Sequence, residues 1–523
     1  MIKESLKIHG KKQFEIKQKV LLPRKSKEIR YQVESFFFLP SSLQVNPDLY
    51  TPSSLQRSLK NYIRLSPPTV KLSALPEENG ELDDLKRWLE QCDPLTPPSL
   101  DEYENKLKRY ALTFKRTVRI NVKMISQNAQ RQTDEYLTEF MANMAKCLGV
   151  YRALAPLAGK IEESIRSNAF SYCDEFMTYY TMNYLRDLLA EKQIPLREEI
   201  RHFWYQEMRY LKKQYPDCFP SDETDAELVT YRRNLLKKYI NRYLYLEIRH
   251  KRGLPLLLHS IYGIAAAISM IFATLIAFLW QGKYGALSAN LFLAMVIGYI
   301  FKDRLKEIGR EQLYRVFQKW IPDRQLRIYR EGVKAPVGLC KESFRFISEN
   351  MLSPDIREMR QKSHWVNLVN VQRMEDILYY RKDVLLHNRH SVFEKNQSSI
   401  ADITRFNISD FLKYIDISYE ELTVNDDEPA IIGEKVYHIY LCRRVTINKK
   451  TYNELARLVV NADGIKRLEV LQPLDLLTTD EDIEISPQWI HSATNGLLFG
   501  NIPIHLGCSQ HRYSSNYDNH LIF

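Results

Sequence analysis

The sequence lacks the short motifs that identify the commonest enzyme classes. It contains no GxxxxGKS/T or GxGxxG phosphate-binding loop, no GxSxG nucleophile turn, no HExxH zinc motif and no set of kinase motifs. Glycine is also scarce, with 17 in 523 residues, which leaves little material for loops that wrap phosphates. These absences remove the enzyme classes that are easiest to recognise, although they do not exclude an enzyme.

Cysteine is scarce and scattered along the chain. The seven cysteines lie at positions 92, 147, 173, 218, 340, 442 and 508, and no two of them form a CxxC pair. An odd number without regular spacing is typical of free thiols in a reducing compartment. The sequence therefore predicts neither a disulfide framework nor a zinc ribbon.

The amino-terminal residues, MIKESLKIHGKKQFEIKQK, lack the apolar core of a cleaved signal, so we expect membrane insertion to depend on an internal segment. Such a segment runs from Leu254 to Phe301 without any Asp, Glu or Arg, and its one lysine, Lys283, lies at the break WQGKYG. At about 1.5 Å per residue, the runs on either side of this break are each long enough for a hydrocarbon core of about 30 Å. We therefore predict a transmembrane hairpin of two helices.

Basic residues concentrate on both sides of the apolar segment. Such flanks stay in the cytoplasm, so we expect both termini there and a multi-pass protein of a bacterial inner membrane. The net charge of +11 would also suit nucleic acid, but its position beside the spans favours anionic lipid headgroups. The predicted lipid-contacting collar consists of Arg232, Arg233, Lys237, Lys238, Arg242, Arg249, Lys251, Arg252, Lys302, Arg304 and Lys306.

Small residues recur at helical spacing within the apolar segment. They let helix backbones approach closely in lipid, where apolar side chains gain little by leaving the acyl chains. This spacing favours packing of the hairpin against itself, or association of several hairpins into a homo-oligomer. The pairs are Gly263 with Ala267, Ala273 with Ala277, and Ala294 with Gly298.

Hydrophobic periodicity divides the remainder of the chain. Alternation over residues 14–22 and 29–39 predicts an antiparallel strand pair, and residues 112–124 predict a third strand. From about Gln127 the apolar spacing becomes helical, and the pair Asp463-Gly464 predicts the turn of a later β-hairpin.

Together these patterns predict an α+β integral membrane protein with a central two-helix transmembrane hairpin and cytoplasmic α+β domains on both sides. The predicted units are an α+β domain with a small antiparallel sheet (1–125), a helical region ending in a basic juxtamembrane helix (126–252), the hairpin (253–301), a helical stalk (302–322), a second α+β domain (323–490) and a polar tail (491–523).

The best candidate for a metal site lies in the tail. His505, Cys508 and His511 fall within the sequence HLGCSQH, and imidazole and thiolate are ligands that suit zinc. No further ligand pair completes a regular four-ligand set. The sequence therefore predicts no cofactor, and zinc is the alternative.

The leading functional hypothesis is a membrane-anchored cytoplasmic scaffold or sensor that self-associates and couples its cytoplasmic domains to the membrane. Membrane lipids and a second copy of the chain are its expected partners, with a cytoplasmic protein as a further candidate. Two alternatives stay open: an oligomeric pore-forming or depolarising effector, and a membrane-bound enzyme, metal-dependent in one version.

Overall fold

The structure, a computed structural model, describes the chain in segments. These are residues 6–21, 28–93, 95–127, 134–191, 194–219, 223–250, 254–284, 289–318, 322–331, 333, 335–361, 375–387, 399–417, 419–423, 430–447 and 450–473. The helices within them are Pro52–Ser58 (α1), Glu81–Gln91 (α2), Leu100–Gln127 (α3), Asp134–Ala153 (α4), Ala155–Ile165 (α5), Ala169–Ala190 (α6), Arg197–Gln214 (α7), Glu223–Asn241 (α8), Leu254–Tyr284 (α9), Ala289–Gln318 (α10) and Pro354–Gln361 (α11). The strands are Leu6–Ile8 (β1), Gln13–Leu21 (β2), Glu28–Pro40 (β3), Leu59–Leu65 (β4), Tyr245–His250 (β5), Arg324–Tyr329 (β6), Gly338–Ile347 (β7), Glu375–His387 (β8), Ser399–Asn407 (β9), Tyr419–Leu422 (β10), Ile431–Glu434 (β11), Tyr437–Ile447 (β12), Lys450–Asn461 (β13) and Gly464–Gln472 (β14).

Twelve of these strands form one antiparallel sheet that nearly closes into a barrel. Their order is β1-β2-β9-β4-β5-β6-β7-β8-β3-β12-β13-β14, while β10 and β11 form a separate ribbon. The two ends of the sheet meet, because β1 contacts β14 and the Ile465 amide donates a 2.6 Å hydrogen bond to the Lys11 carbonyl. The contact brings together the two end strands, whose exposed edges would otherwise invite association with other strands.

The barrel interior is apolar at both ends. Near one end, inward side chains such as Ile29 and Ile400 join a core that continues into helices α2 to α8. At the other end, Phe14, Phe37 and Phe406 belong to a second apolar cluster. The helices therefore cover one end of the barrel and share its core.

A charged layer lies between the two apolar ends. The buried Lys382 ammonium lies 2.5 Å from Asp402, which also accepts a 2.9 Å hydrogen bond from the Tyr31 hydroxyl. Arg443 and Glu454, which are equally buried, form a second ion pair at 2.6 Å. Each buried cation thus has a carboxylate partner, which offsets part of the cost of removing it from water.

The predicted division into α+β domains on both sides of the membrane segment is wrong. Strand β3, from the predicted first domain, lies between β8 and β12 of the predicted second α+β domain. The hydrogen bond from Tyr31 to Asp402 joins residues 371 positions apart in the chain. Local periodicity indicates which face of a strand is buried but not which distant strand pairs with it, so the sequence alone does not indicate a single sheet.

The predicted two-helix transmembrane hairpin is wrong as well. Among the described residues, only His259–Gly282 has the length and apolarity of a candidate membrane span. The apolar part of α10 ends at Phe301, where Lys302 and Asp303 follow, so it extends only about 20 Å along the helix axis. That length falls short of a hydrocarbon core of about 30 Å.

Several local predictions are confirmed and two are wrong. The hairpin turn at Asp463-Gly464 joins β13 and β14, and the helical region follows as α4 to α8. Strands β2 and β3 are present, but they pair with other strands instead of with each other. Residues 112–124 lie within α3, where Phe114, Val118 and Val122 form a buried stripe at helical spacing.

Candidate anion-binding site

Several members of the predicted lipid-contacting collar are held by protein groups. Arg232 on α8 donates hydrogen bonds of 3.1 and 2.9 Å to the buried carboxylate of Glu175. Arg233 donates a 3.1 Å hydrogen bond to the Cys218 carbonyl. Because an unpaired buried carboxylate is costly, Arg232 has a structural role within the helical bundle.

The other collar residues are spread over three elements and the turns between them. Arg242 pairs with Glu331 at 3.2 Å, and Arg249 on β5 pairs with Glu247 at 2.7 Å. Lys238, Arg304 and Lys306 are exposed. The Nζ atom of Lys302 lies 3.9 Å from the centroid of the Tyr299 ring. Lys251 and Arg252 fall outside the described residues. Lipid contact by the exposed members stays a prediction.

The predicted packing residues of the apolar segment face different surroundings. Gly298 is buried, and a Cβ there would contact Ile276 of α9 at 3.6 Å. Gly263 and Ala267 are exposed, Ala273 and Ala277 are partly buried, and the side chain of Ala294 is outside the described set. Gly298 thus lies against α9, whereas Gly263 and Ala267 lie at the exposed surface, and their role in packing stays a prediction.

The predicted metal ligands cannot be placed. His505, Cys508 and His511 lie outside the described residues. Within the residues that the structure does describe, no group of three or more His, Cys, Asp or Glu side chains is arranged to hold a metal ion.

A different group of basic residues, from the sheet and from two helices, lies close enough together for its members to lower one another's pKa values. Arg64 comes from β4, Lys115, Arg116 and Arg119 from α3, and Lys237 from α8. We call these five residues the basic cluster. Arg119 is exposed and the other four are partly buried, so the cluster lies at the margin of the shared core with access to solvent.

The local folding of each element explains why these charges converge. Ile63 and Leu65 point into the core, so the alternation of a strand turns Arg64 outward. On α3 the buried stripe includes Phe114, and Lys115 follows it on the neighbouring face. Lys237 follows the buried Leu236 on α8 in the same way. Each of these three cations therefore lies at the margin of the core, because the apolar residue next to it in the chain is buried there.

The basic cluster has no compensating charge in the described part of the chain. None of its five side chains forms an ion pair or a hydrogen bond with another described residue. The Nε atoms of Arg64 and Arg116 are fully buried and lack a hydrogen-bond acceptor. A buried donor left unpaired costs about 1–3 kcal/mol, and a charged one more.

The pKa values report the same imbalance. Burial, reinforced by Lys237, Arg64 and Arg119, holds the pKa of the Lys115 ammonium well below its ordinary value. Burial together with Arg64 and Arg119 lowers the pKa of Arg116 from 12.5 to about 10. Burial and Arg64 also lower the pKa of Lys237. Several cations that repel one another in a partly dry site make this cluster a candidate for binding an anion.

Aromatic rings hold Lys115 in place without neutralising it. Its Nζ atom lies 3.3 Å from the centroid of Tyr180 and 5.0 Å from that of Phe176, both on α6. A cation–π contact of this kind stabilises an ammonium but leaves its positive charge available to a ligand.

Two buried carboxylates on α6, the helix whose rings contact Lys115, are bound by other residues. Glu175 is bound by Arg232, and Asp174 lies 3.2 Å from the Arg152 guanidinium. Asp174 also accepts hydrogen bonds from the hydroxyls of Tyr210 and Tyr215. These acids therefore tie the helices together and do not balance the basic cluster.

Sequence patterns contain a partial signal for the basic cluster. When residues 112–124 are interpreted as a strand, Lys115 and Arg119 belong to an ordinary solvated face. As a helix, the same residues present cations four positions apart beside a buried stripe. Their convergence with Arg64 and Lys237 depends on tertiary contacts, which no local pattern reports.

No protein-family model matches the chain, and neither does any curated protein or solved structure. The basic cluster is the arrangement whose charges most clearly require something from outside the described residues.

Proposed function

We propose that the protein is a membrane-attached sensor that binds a phosphate-bearing anion at the basic cluster. The observation that carries the proposal is the set of five cations without a carboxylate partner among the described residues. An anion bound there would supply acceptors for the orphaned Nε atoms of Arg64 and Arg116. It would also offset the repulsion that adds to burial in lowering the pKa of Lys115.

Phosphate chemistry fits the residue types better than a single carboxylate does. Guanidinium groups bind phosphate oxygens with paired, charge-assisted hydrogen bonds, and lysine adds a compact positive charge. Five cations can neutralise an anion that carries several negative charges. Because four of the five side chains are partly buried, the site suits a compact ligand better than a long nucleic-acid strand, which needs an extended exposed groove.

The exposed surface of α9 supports attachment to a membrane. Within the candidate span, Ile271, Phe278 and Leu279 are 68%, 69% and 63% exposed. A folded chain in water rarely leaves so many large apolar side chains in contact with solvent. Lipid acyl chains would cover these side chains, and α9 would then attach the protein to the bilayer.

The phosphate groups could come from a soluble oligophosphate or from a lipid headgroup. The shared chemistry is a cluster of phosphate oxygens with a charge of about −2 or more per ligand. The two sources are separated by measuring the full chain in detergent with inorganic tripolyphosphate, and in nanodiscs that contain either anionic or only zwitterionic lipid.

Calorimetric titration of the full chain with tripolyphosphate is the first test. We expect saturable binding that weakens with salt and falls at least tenfold in Arg64→Gln and Lys115→Gln. Lys60→Gln is the matched control, because Lys60 lies on the same strand but is exposed and outside the basic cluster. Failure of tripolyphosphate and anionic lipid to bind, or equal binding by the wild type and both cluster variants, would overturn the proposal.

A further inference from the structure

We propose that an oligophosphate in the basic cluster closes the seam between β4 and β5, and so fixes the start of the apolar helix α9. This inference rests on the proposed function, since it concerns the consequence of filling the same site. It goes further by assigning the site a mechanical link to the membrane segment.

The β4–β5 seam is the shortest strand pairing in the twelve-stranded sheet. The two strands pair only through Ile63 opposite Leu246 and Arg64 opposite Tyr245. By contrast, β4 pairs with its other neighbour, β9, along its whole length from Leu59 to Leu65. Short ladders open more readily than long ones, so among the strands that pair in this sheet we expect β4 and β5 to separate most readily.

The basic cluster has members on both sides of the seam. Arg64 is one of the two β4 residues that form it. Lys237 lies on α8, which continues through the turn Arg242–Leu244 into β5. The pKa of Lys237 is lowered by burial and by Arg64, so the two like charges are close enough to repel each other. Without an anion this repulsion acts to separate β4 from the segment that carries β5.

A bound oligophosphate would replace the repulsion between Arg64 and Lys237 by attraction of both residues to the same anion. One anion can accept hydrogen bonds from Arg64 on one side and Lys237 on the other, so both sides are drawn toward the same ligand. The outer face of the seam already carries an edge-to-face contact between Tyr62 and Tyr245, with ring centroids 6.2 Å apart. Closing the seam preserves this contact and lengthens the lifetime of the pairing between β4 and β5.

The seam is connected directly to the candidate membrane span. Strand β5 ends at His250 and α9 begins at Leu254. The opposite edge of β5 pairs with β6, the first strand after α10. A change in the position or stability of β5 therefore acts on the point where the chain leaves the barrel for the apolar helix.

Hydrogen exchange of the full chain in detergent, followed by mass spectrometry, tests the inference with inorganic tripolyphosphate as the probe. We expect peptides that cover β4 and β5 to exchange at least threefold more slowly when tripolyphosphate is bound. Peptides from β7 and β8, which pair along the whole length of β7, should be unchanged. Orthophosphate at equal concentration should protect the seam less, because it carries less charge and spans a shorter distance.

Two variants examine the repulsion itself. Lys237→Gln removes one of the two charges across the seam, so the ligand-free variant should exchange more slowly at β5 than the wild type. Lys60→Gln, exposed on the same strand, should exchange as the wild type does. Faster exchange at β5 in Lys237→Gln would overturn the repulsion argument and the inference with it.

The outcomes also separate this inference from the proposed function. If tripolyphosphate binds and the cluster variants weaken it, but β4 and β5 show no selective protection, then the seam inference is wrong and the binding proposal stands. If neither tripolyphosphate nor anionic lipid binds, both proposals fail together.

Discussion

Replacing Arg116 by methionine should stabilise the ligand-free protein, although it removes a residue of the proposed binding site. The Arg116 guanidinium is partly buried, its Nε atom has no acceptor, and burial with Arg64 and Arg119 lowers its pKa from 12.5 to about 10. At about 1.4 kcal/mol per pKa unit this shift corresponds to about 3 kcal/mol of unfavourable charge burial. Solvent screening and relaxation reduce that figure, so we expect a net gain of about 1–2 kcal/mol.

Thermal unfolding of the full chain in detergent, with and without tripolyphosphate, measures this effect. Arg116→Met should have a higher Tm than the wild type when no ligand is present, by on the order of 2 °C. Tripolyphosphate should raise the Tm of the wild type and change that of the variant much less. Lys60→Met is the matched control, because Lys60 is exposed on a strand beside the site and should change neither value.

The two roles that Arg116 could have predict opposite signs. A structural arginine with a protein partner would cost stability when replaced, since its partner would be left unpaired. A loss of more than about 1 kcal/mol in Arg116→Met would therefore refute the conclusion that this charge is uncompensated. Stabilisation combined with loss of the ligand effect is the signature of a binding residue kept at the expense of stability.

Three further predictions concern the barrel. Asp402→Asn removes the negative charge beside the buried Lys382, so chemical unfolding should show a loss of about 3–5 kcal/mol, and a loss below about 1 kcal/mol would contradict the buried ion pair. Gly464→Ala should lower the Tm, because Gly464 has a φ of +144° and an added Cβ would collide with the Lys11 carbonyl; an unchanged Tm would mean that the barrel ends are not joined there. Burial, with help from Arg457 and Arg467, lowers the pKa of His438 below 6.5, so the unfolded chain takes up a proton first and stability should fall as the pH drops below about 6.5. The slope of Tm against pH in that range should be shallower in His438→Gln, and an unchanged slope would remove His438 as its source.

Local structure was predicted best where a single segment carries the whole signal. The turn at Asp463-Gly464 joins β13 and β14 because a glycine there adopts a backbone conformation that other residues rarely take. The segment from Leu254 onward forms a long helix because no charge interrupts its apolar run. The strand prediction for residues 112–124 is wrong because the apolar residues at positions 114, 118, 120, 122 and 124 fit a period of two as well as a helical stripe.

The sequence by itself determined the apolar helix, the helical region after Gln127, strands β2 and β3, the turn between β13 and β14, and the concentration of basic residues around positions 232–252 and 302–319. Only the tertiary structure decided that β3 lies between β8 and β12, that Arg232 serves the buried Glu175, and that Arg64, Lys115 and Lys237 meet. Propensity, periodicity and turn chemistry act between residues a few positions apart, so they can be read along the chain. Strand pairing and the convergence of charges depend on contacts between distant segments, whose energies are set by how the whole core packs.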